Sequence, residues 1–358
     1  MIRFKKILII KLSSIGDVVH ALPFLEALRN SFPDSKIDWL IEEEASQVIS
    51  GHPAINRVII SRRKAWEKEI LNLLKFAGVI SEAAGFYKDL RSESYDIVID
   101  MQGLFRSGFL TALSKGKRKT GMSEGREGAS FFLKEPPVPV DYEQHAVARY
   151  LKVAEYLGCR VPSFKGEIPV FESDKKLAYE ILGSFDKNQA VIAVNPMAKW
   201  KTKLWAPDKF AKLASCLQKE INCRVIFTGS GQDRPLIDEM IKMMEQPDSG
   251  VLPINLAGRT SLKELAFLYS KCSALVCTDT GPMHIAAAMG CRVIALFGPT
   301  SPLRTGPYGS GHMVIRSGID CSTCLKKECD GMKCMEDITV DMAFDAVSKI
   351  LLEKASSN

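Results

Sequence analysis

Asp17 closes the segment Lys11-Leu12-Ser13-Ser14-Ile15-Gly16-Asp17, which joins the apolar run Ile7 to Ile10 to a helical pattern. Ser13, Ser14 and Gly16 are small enough to let a ligand approach the backbone. A carboxylate at that position has two readings: it caps the helix, or it is a general base at the open end of a parallel sheet. A second segment, Asp279-Thr280-Gly281-Pro282-Met283-His284, also runs from a strand pattern into a helix. Pro282 suits the first turn because its missing N–H costs nothing there. The remaining first-turn amides and the helix dipole make an anion site, most naturally for a diphosphate. His284 falls beside those amides; the alternative is a capped helix with a satisfied core histidine. Lys199, Lys201 and Lys203 follow another strand, where a single lysine reaching a leaving phosphate suffices. Gly229-Ser230-Gly231-Gln232-Asp233 follows a further one, and its acid either takes ribose hydroxyls or belongs to a plain turn.

Positive charge gathers in the N-terminal half at Arg62, Arg63 and Lys64, and at Lys115 to Lys119 with Arg106 and Arg126. Such runs are solvated faces, or they receive a phosphorylated or carboxylated acceptor. Cys321-x2-Cys324-x4-Cys329-x4-Cys334 is compatible with tetrahedral zinc, but one C-x2-C is only half of a usual ribbon, which favours unligated or redox-active thiols. Neither G-x-G-x-x-G nor a P-loop is present, which argues against a dinucleotide oxidoreductase or a nucleoside triphosphatase.

Positioning these residues requires strands. Ile7 to Ile10, Ile37 to Ile41, Val58 to Ile60 and Ile97 to Ile99 are near-continuous apolar runs, as parallel strands buried on both faces demand. Helical stretches Val18 to Phe32, Glu67 to Leu90 and Ala146 to Leu157 separate them. After Val161-Pro162-Ser163 and a polar stretch to about Asn188 the pattern restarts. Strands are expected at Ala190 to Val194, Arg224 to Phe227, Ala274 to Cys277 and Val293 to Phe297, with helices over 208–221, 234–244, 262–271 and 282–289. A last amphipathic helix covers Met342 to Lys354. With 358 residues and ~150 per domain, the fold class is α/β with two doubly wound domains, and ligands are expected at the carboxyl ends of the strands, in a cleft between them.

Apolar residues make up 46% and charged residues 25% of the chain, so disorder, collagen and coiled coil are excluded. A net charge of +6 over this length is too mild for a nucleic-acid binder. No uncharged run approaches the ~20 residues of a membrane-spanning helix. Without an export signal, the ten cysteines are expected to be reduced thiols in the cytoplasm.

Taken together, the motifs resemble the ADP-heptose:lipopolysaccharide heptosyltransferases of glycosyltransferase family 9, most closely the heptosyltransferase I branch. The residues concerned are Lys11-x-Ser13-Ser14-x-Gly16-Asp17-Val18-x-His20-x-Leu22-Pro23, Asp38-Trp39-x-x-Glu42-Glu43, Tyr95-Asp96-x-Val98-Ile99-Asp100-x-Gln102-Gly103-Leu104, Gln144-His145-Ala146-Val147, and Asp279-Thr280-Gly281-x-x-His284 followed by Phe297-Gly298-Pro299-Thr300. The resemblance implies a GT-B fold of two Rossmann-like domains. An acceptor domain spans 1–166, a nucleotide-sugar domain spans 167–335, and the final helix, 336–358, returns to the N-terminal domain. It implies Asp17 as the base and Lys203 on the donor phosphates. Asp233 lies near the ribose, while Asp279, Thr280, Gly281 and His284 line the diphosphate and sugar pocket. Ser13, Ser14, Gly16, Arg62, Arg63, Lys64, Gln102 and Arg126 are the acceptor-side candidates. The family's Lys-x-Trp-Pro is one residue longer here, Lys203-Leu204-Trp205-Ala206-Pro207, and Met197-Ala198 replace residues that are often hydroxylic.

The implied reaction is inverting transfer of L-glycero-D-manno-heptose from ADP-heptose to the Kdo of nascent lipid A, at the cytoplasmic face of the inner membrane through peripheral contact. It calls for no metal, no cofactor and no nucleic acid. Alternatives are a second-heptose transferase, a GT-B sugar-nucleotide 2-epimerase, which needs no acceptor, and a non-enzymatic zinc-binding protein built on the cysteines.

Overall fold

The apolar runs become strands because each is flanked by a helix long enough to cross back over the sheet. The computed structural model describes residues 3–123, 125–161, 166–183, 189–245 and 252–355. The chain divides into two units, Met1–Pro169 and Val170–Asn358. The stretch expected to link them, 161–188, lies in part outside the described residues.

The first unit carries β1 (Lys6–Ile10), β2 (Lys36–Glu42), β3 (Arg57–Ser61), β4 (Ser94–Asp100) and β5 (Lys115–Gly121) in the order β3-β2-β1-β4-β5. All neighbours are parallel, with Ile7 of β1 opposite both Ile37 and Ile97. Ile7 to Ile10 are fully buried, as a central strand covered on both faces must be. The order reverses at β1, so the loops after β1 and β4 flank the switch point where such sheets bind ligands.

The second unit carries β6 (Val191–Asn195), β7 (Arg224–Phe227), β8 (Ile254–Asn255), β9 (Ala274–Thr278), β10 (Arg292–Leu296) and β11 (Met313–Ile315) in the order β11-β10-β9-β6-β7-β8, again all parallel. Its switch point lies between β6 and β9.

Several elements depart from expectation. Val18 to Phe32 is two helices, Ile15–His20 and Leu22–Ser31, with Pro23 in the first turn of the second. The stretch Glu67 to Leu90 likewise breaks into Arg63–Glu69 and Leu73–Leu90, where Asn72 restarts the helix by accepting from the Leu74 amide at 3.0 Å. Lys115 to Lys119, expected as a charge cluster, is most of edge strand β5. There Lys117 pairs with Asp96 at 2.8 Å, Arg118 with Glu135 at 2.5 Å, and Lys119 is buried, donating to the Ala112 carbonyl at 2.8 Å. Charged side chains on an edge guard it against pairing with other chains.

In the last helix, Val340–Ala355, the residues Ala343, Ala346, Val347 and Ile350 are buried in the core cluster of the second unit with Val276 and Ile294. Among the described residues no helix is long and apolar enough to cross a membrane.

His52 shows how burial in the first unit couples to pH. It is 7% exposed, its Nδ1 accepts from the Ala54 amide at 3.1 Å, and burial lowers its pKa from 6.5 to about 4. The unfolded chain therefore takes up a proton below pH 6.5 that the folded chain refuses until about pH 4. Stability falls as pH drops through that window, by up to ~3 kcal/mol. His52→Asn keeps an acceptor for Ala54 and has no proton to gain. Melting followed from pH 7 to pH 4.5 should show a shallower loss for the variant than for wild type, and equal slopes would disprove the assignment.

Candidate functional site

In the first unit the loops after β1 and β4 are stitched together by backbone. Met101 N–H donates to Ile10 O at 2.9 Å, and Trp39 Nε1 donates to Lys11 O at 3.1 Å. Gln102, expected on the acceptor side, turns its carbonyl oxygen inward and accepts from the amides of Leu12 at 3.1 Å and Ser13 at 3.0 Å. The loop carrying Ser13, Ser14 and buried Gly16 is thereby held open-ended at the start of the helix Ile15–His20.

Asp17 stands at the third position of that helix. Its Oδ2 accepts from the Ser14 amide at 3.2 Å and from Ser14 Oγ at 3.1 Å, which is the acidic half of a capping box. Behind it Lys11 is 3% exposed, its ammonium 5.1 Å from the centre of the Tyr150 ring. Burial alone would lower the Lys11 pKa, but Tyr150, Asp17 and Asp100 outweigh it and the pKa is raised. Asp100 is pushed up by burial, against the pull of the Gly103 and Gln102 amides, Ser107 and Lys11. The charge of Asp17 is thus among those that keep the buried Lys11 protonated.

Arg106, read from sequence only as part of a charge cluster, reaches the β1 loop. It donates to Ser13 Oγ at 2.9 Å and pairs with Glu42 at 3.6 Å. Its Nε and Glu42 Oε2 are both buried without a hydrogen-bond partner among the described residues. His20 and His145 also meet, their rings edge-on at 5.0 Å. Both belong to the motifs quoted above, and that was the only signal for them. Arg126 is exposed, its amide donating to Gly103 O at 2.8 Å, so the β4 loop positions it too.

Arg62, Arg63 and Lys64 do not form an uncompensated basic patch. Arg62 pairs with Glu43 at 3.2 Å and Glu82 at 2.9 Å, Arg63 with Glu42 at 3.0 Å and with Glu67, and Lys64 with Glu44. The cause is the Glu42-Glu43-Glu44 run at the end of β2, which faces them. Arg62 and Lys64, with Glu42, Glu43 and Glu44, line a pocket of about 250 Å³ whose walls carry both signs of charge.

In the second unit the loops after β6, β9 and β10 converge. Lys203 Nζ lies 2.6 Å from Asp279 Oδ2, which also accepts from Thr300 Oγ1 at 2.7 Å. Lys203 further sits 4.5 Å from the centre of the Trp200 ring. Asp279 leads directly into Thr280 and the helix Gly281–Ala288, which has Pro282 in its first turn and no side-chain cap. The first-turn amides of this helix thus carry no side-chain cap, and the Asp279 that precedes them holds Lys203. His284 is buried on the first turn. Asp233 is placed after β7, with Oδ2 accepting from Ser230 N and Oγ, both at 2.7 Å. Gly258, at φ +70°, allows the β8 loop to close on Gly231, whose Cα would lie 2.6 Å from an added Cβ.

The model of glycosyltransferase family 9 (heptosyltransferase) matches residues 84–335. Lipopolysaccharide heptosyltransferase 1 of Pseudomonas aeruginosa is 31% identical over 336 residues, covering 93% of this chain and 89% of the relative. The crystal structure of the family 9 glycosyl transferase from Veillonella parvula aligns with a TM-score of 0.82 and 26% identity over 99% of each chain. E. coli heptosyltransferase WaaC with ADP-2-deoxy-2-fluoro heptose aligns at 0.71 and 27%, covering 96% of this chain and 99% of that one. Two doubly wound Rossmann-like units make the fold that of a GT-B glycosyltransferase. Within that class, the chain belongs to glycosyltransferase family 9, the heptosyltransferases.

Gln102 supplies a test of the loop geometry. Gln102→Leu strands two amides and should cost about 2 kcal/mol or more, with turnover lost alongside because the Asp17 loop is no longer pinned. Gln102→Glu keeps the acceptor oxygens and should melt close to wild type. A Leu variant that melts like wild type but loses acceptor affinity would instead make Gln102 a binding residue.

Proposed function

We propose that the enzyme transfers heptose from ADP-L-glycero-D-manno-heptose to the Kdo of the lipopolysaccharide inner core with inversion. The observation that carries this reading is the uncapped start of the helix Gly281–Ala288 with Lys203 beside it, in a chain of this family. ADP is the leaving group for which fixed amides and an ammonium are suited, since both meet charge as it develops. Asp233 serves the ribose, and Asp279, Thr280, Gly281 and His284 the diphosphate and sugar. Asp17 takes the proton of the acceptor hydroxyl. That oxygen bonds to the anomeric carbon as the bond from this carbon to the diphosphate oxygen breaks on the opposite face. Ser13, Ser14, Gly16 and Arg126 border the acceptor, together with Arg106, whose unpartnered buried Nε suits a carboxylate. The compensated charges of Arg62, Arg63 and Lys64 give them a weaker claim.

The test is ADP release from ADP-heptose with Kdo-lipid A or with its heptosylated form. Turnover with the first alone supports first-heptose transfer, and turnover with the second alone supports second-heptose transfer. Asp17→Asn should retain melting and donor affinity while turnover falls at least ~10²-fold. Asp17→Ala should also melt lower, by a cap's ~1 kcal/mol. Wild-type turnover in the Asn variant would end the general-base assignment.

Peripheral contact with the inner membrane at its cytoplasmic face belongs to the same reading. It is supported by the helix Leu73–Leu90, where only Val79 and Leu90 are buried. Leu71, Leu73 and Leu74 are 90%, 93% and 96% exposed, with Lys68 and Lys75 close by in sequence. Exposed leucines suit insertion into a lipid surface, with Lys68 beside them and Lys75 paired to Glu69 at 2.6 Å. Leu73→Ser with Leu74→Ser should leave melting unchanged and weaken binding to phosphatidylglycerol vesicles by about tenfold or more. Equal vesicle binding would refute this docking surface.

A further inference from the structure

Glu42 belongs to the motif Asp38-Trp39-x-x-Glu42-Glu43, and the transfer chemistry above gives it no role. It is the last residue of β2, and its amide donates to Leu12 O at 3.0 Å, so its backbone adjoins the loop that carries Asp17. The short helix Glu43–Ser46 begins directly after it, but the Glu42 carboxylate does not turn back to cap that helix. The side chain is 4% exposed and is committed elsewhere.

Two arginines from different elements meet on it. Arg63, which opens the helix Arg63–Glu69, donates to Glu42 Oε1 from Nε at 3.2 Å and from Nη2 at 3.0 Å. Arg106, in the first turn of the helix Phe105–Leu113, brings Nη1 to 3.6 Å from the same oxygen while its Nη2 donates to Ser13 Oγ at 2.9 Å. One carboxylate therefore gathers the elements that follow β3 and β4 and ties them to the loop after β1. A carboxylate buried to this degree needs cationic partners to stay charged. Both guanidinium groups, by contrast, keep about a third of their side chains in solvent, 31% for Arg63 and 34% for Arg106. The cluster is not saturated, because these contacts fall on Oε1, while Glu42 Oε2 and Arg106 Nε are buried with no hydrogen-bond partner among the described residues. An ion cluster that served only to hold the fold would be expected to close on itself.

We propose that Glu42 is the positioning residue of the acceptor side, aiming Arg106, with Arg63 beside it, at a carboxylate carried by the acceptor sugar. The assignment rests on the reading of the acceptor as a sugar acid. A guanidinium group recognises a carboxylate through its planar fork, so its orientation counts as much as its charge. Left to themselves, two guanidinium groups this close repel each other and turn to solvent. The shared Glu42 oxygen sets both before a ligand arrives, and less ordering is left to the binding step. Arg63 also pairs with Glu67, but that carboxylate is 59% exposed and screened by water. The buried carboxylate is thus left facing two cations, which favours an anion as the next partner. A plain counter-ion and a positioning residue differ in sign: removing the charge of the first strengthens anion binding, and removing the second weakens it.

The experiment follows binding of the free sugar acid Kdo to the full chain by calorimetry, with its methyl ester as the uncharged control, beside acceptor and donor KM in the transfer assay. Wild type should bind the acid about tenfold more tightly than the ester. Glu42→Gln keeps the size of the side chain and removes its charge. It should abolish the preference and raise the acceptor KM about tenfold, with kcat and the ADP-heptose KM within about twofold of wild type. The same substitution should add nothing further in an Arg106→Met background, since the two residues act as one unit. Glu67→Gln, which removes a carboxylate from the exposed side of Arg63, should behave as wild type. If Glu42→Gln does not fold, Arg106→Lys, which keeps the charge and loses the fork, should show the same loss of preference. Preference for the acid without turnover on Kdo-lipid A would support this assignment and count against the proposed transfer. Equal binding of acid and ester by wild type overturns the assignment whatever the transfer assay shows, and so does tighter binding of the acid by Glu42→Gln.

Discussion

A parallel strand buried on both faces has no position along its length where an uncompensated polar group is cheap, because each face is covered by helices and each edge is paired. Polar chemistry is displaced to the carboxyl ends, where backbone leaves the sheet and the next helix begins. Both units obey this constraint. Ile7 to Ile10 are fully buried, and the residues that follow are Lys11 to Asp17. Val276 and Cys277 are fully buried, and Thr278, Asp279 and Thr280 follow. The positions of Asp17, Gln102, Arg106, Lys203, Asp233 and Asp279 all follow from where a strand stops.

That is also why the sheets were legible. Central strands announce themselves as short β-branched runs, and the runs at Ile7, Ile37, Ile97, Val191, Ala274 and Val293 each contributed a strand. What escaped lies at the edges, where burial no longer dictates residue type. Strand β5 is Lys-Gly-Lys-Arg-Lys-Thr-Gly; its identity as a strand rests on pairing with β4, which no local pattern carries. Strands β8 and β11 have two and three residues and offer too few positions for alternation to be read. Helix breaks were likewise lost inside longer periodic stretches, although Pro23 and Asn72 mark them in retrospect.

The candidate site was legible by segment and less so by side chain. Asp17, Lys203, Asp279 and the helix start at Gly281 stand where strand-to-helix transitions place them. Roles were harder, because a side chain's partner depends on which loops the topology brings together. Gln102 and Leu12 are far apart in sequence but adjacent across β1 and β4, so an amide that reads as a ligand contact becomes a backbone clamp. Arg62 to Lys64 read as positive because Glu42 to Glu44 lie about twenty residues away and come opposite them only through the pairing of β2 with β3. Arg106 acquires importance from contacts with Ser13 and Glu42 that no spacing encodes.

Capping does not conflict with the roles proposed for Asp17 and Asp233. Each sits three residues after a serine, and in each the Oδ2 oxygen accepts from that serine's amide and hydroxyl. A carboxylate held this way is already oriented before any ligand arrives, so no rotamer freedom has to be lost when it acts. In the proposed transfer that orientation matters most at Asp17, because the acceptor hydroxyl's proton becomes acidic only as its oxygen bonds to carbon, and a carboxylate aimed beforehand can meet it at that moment.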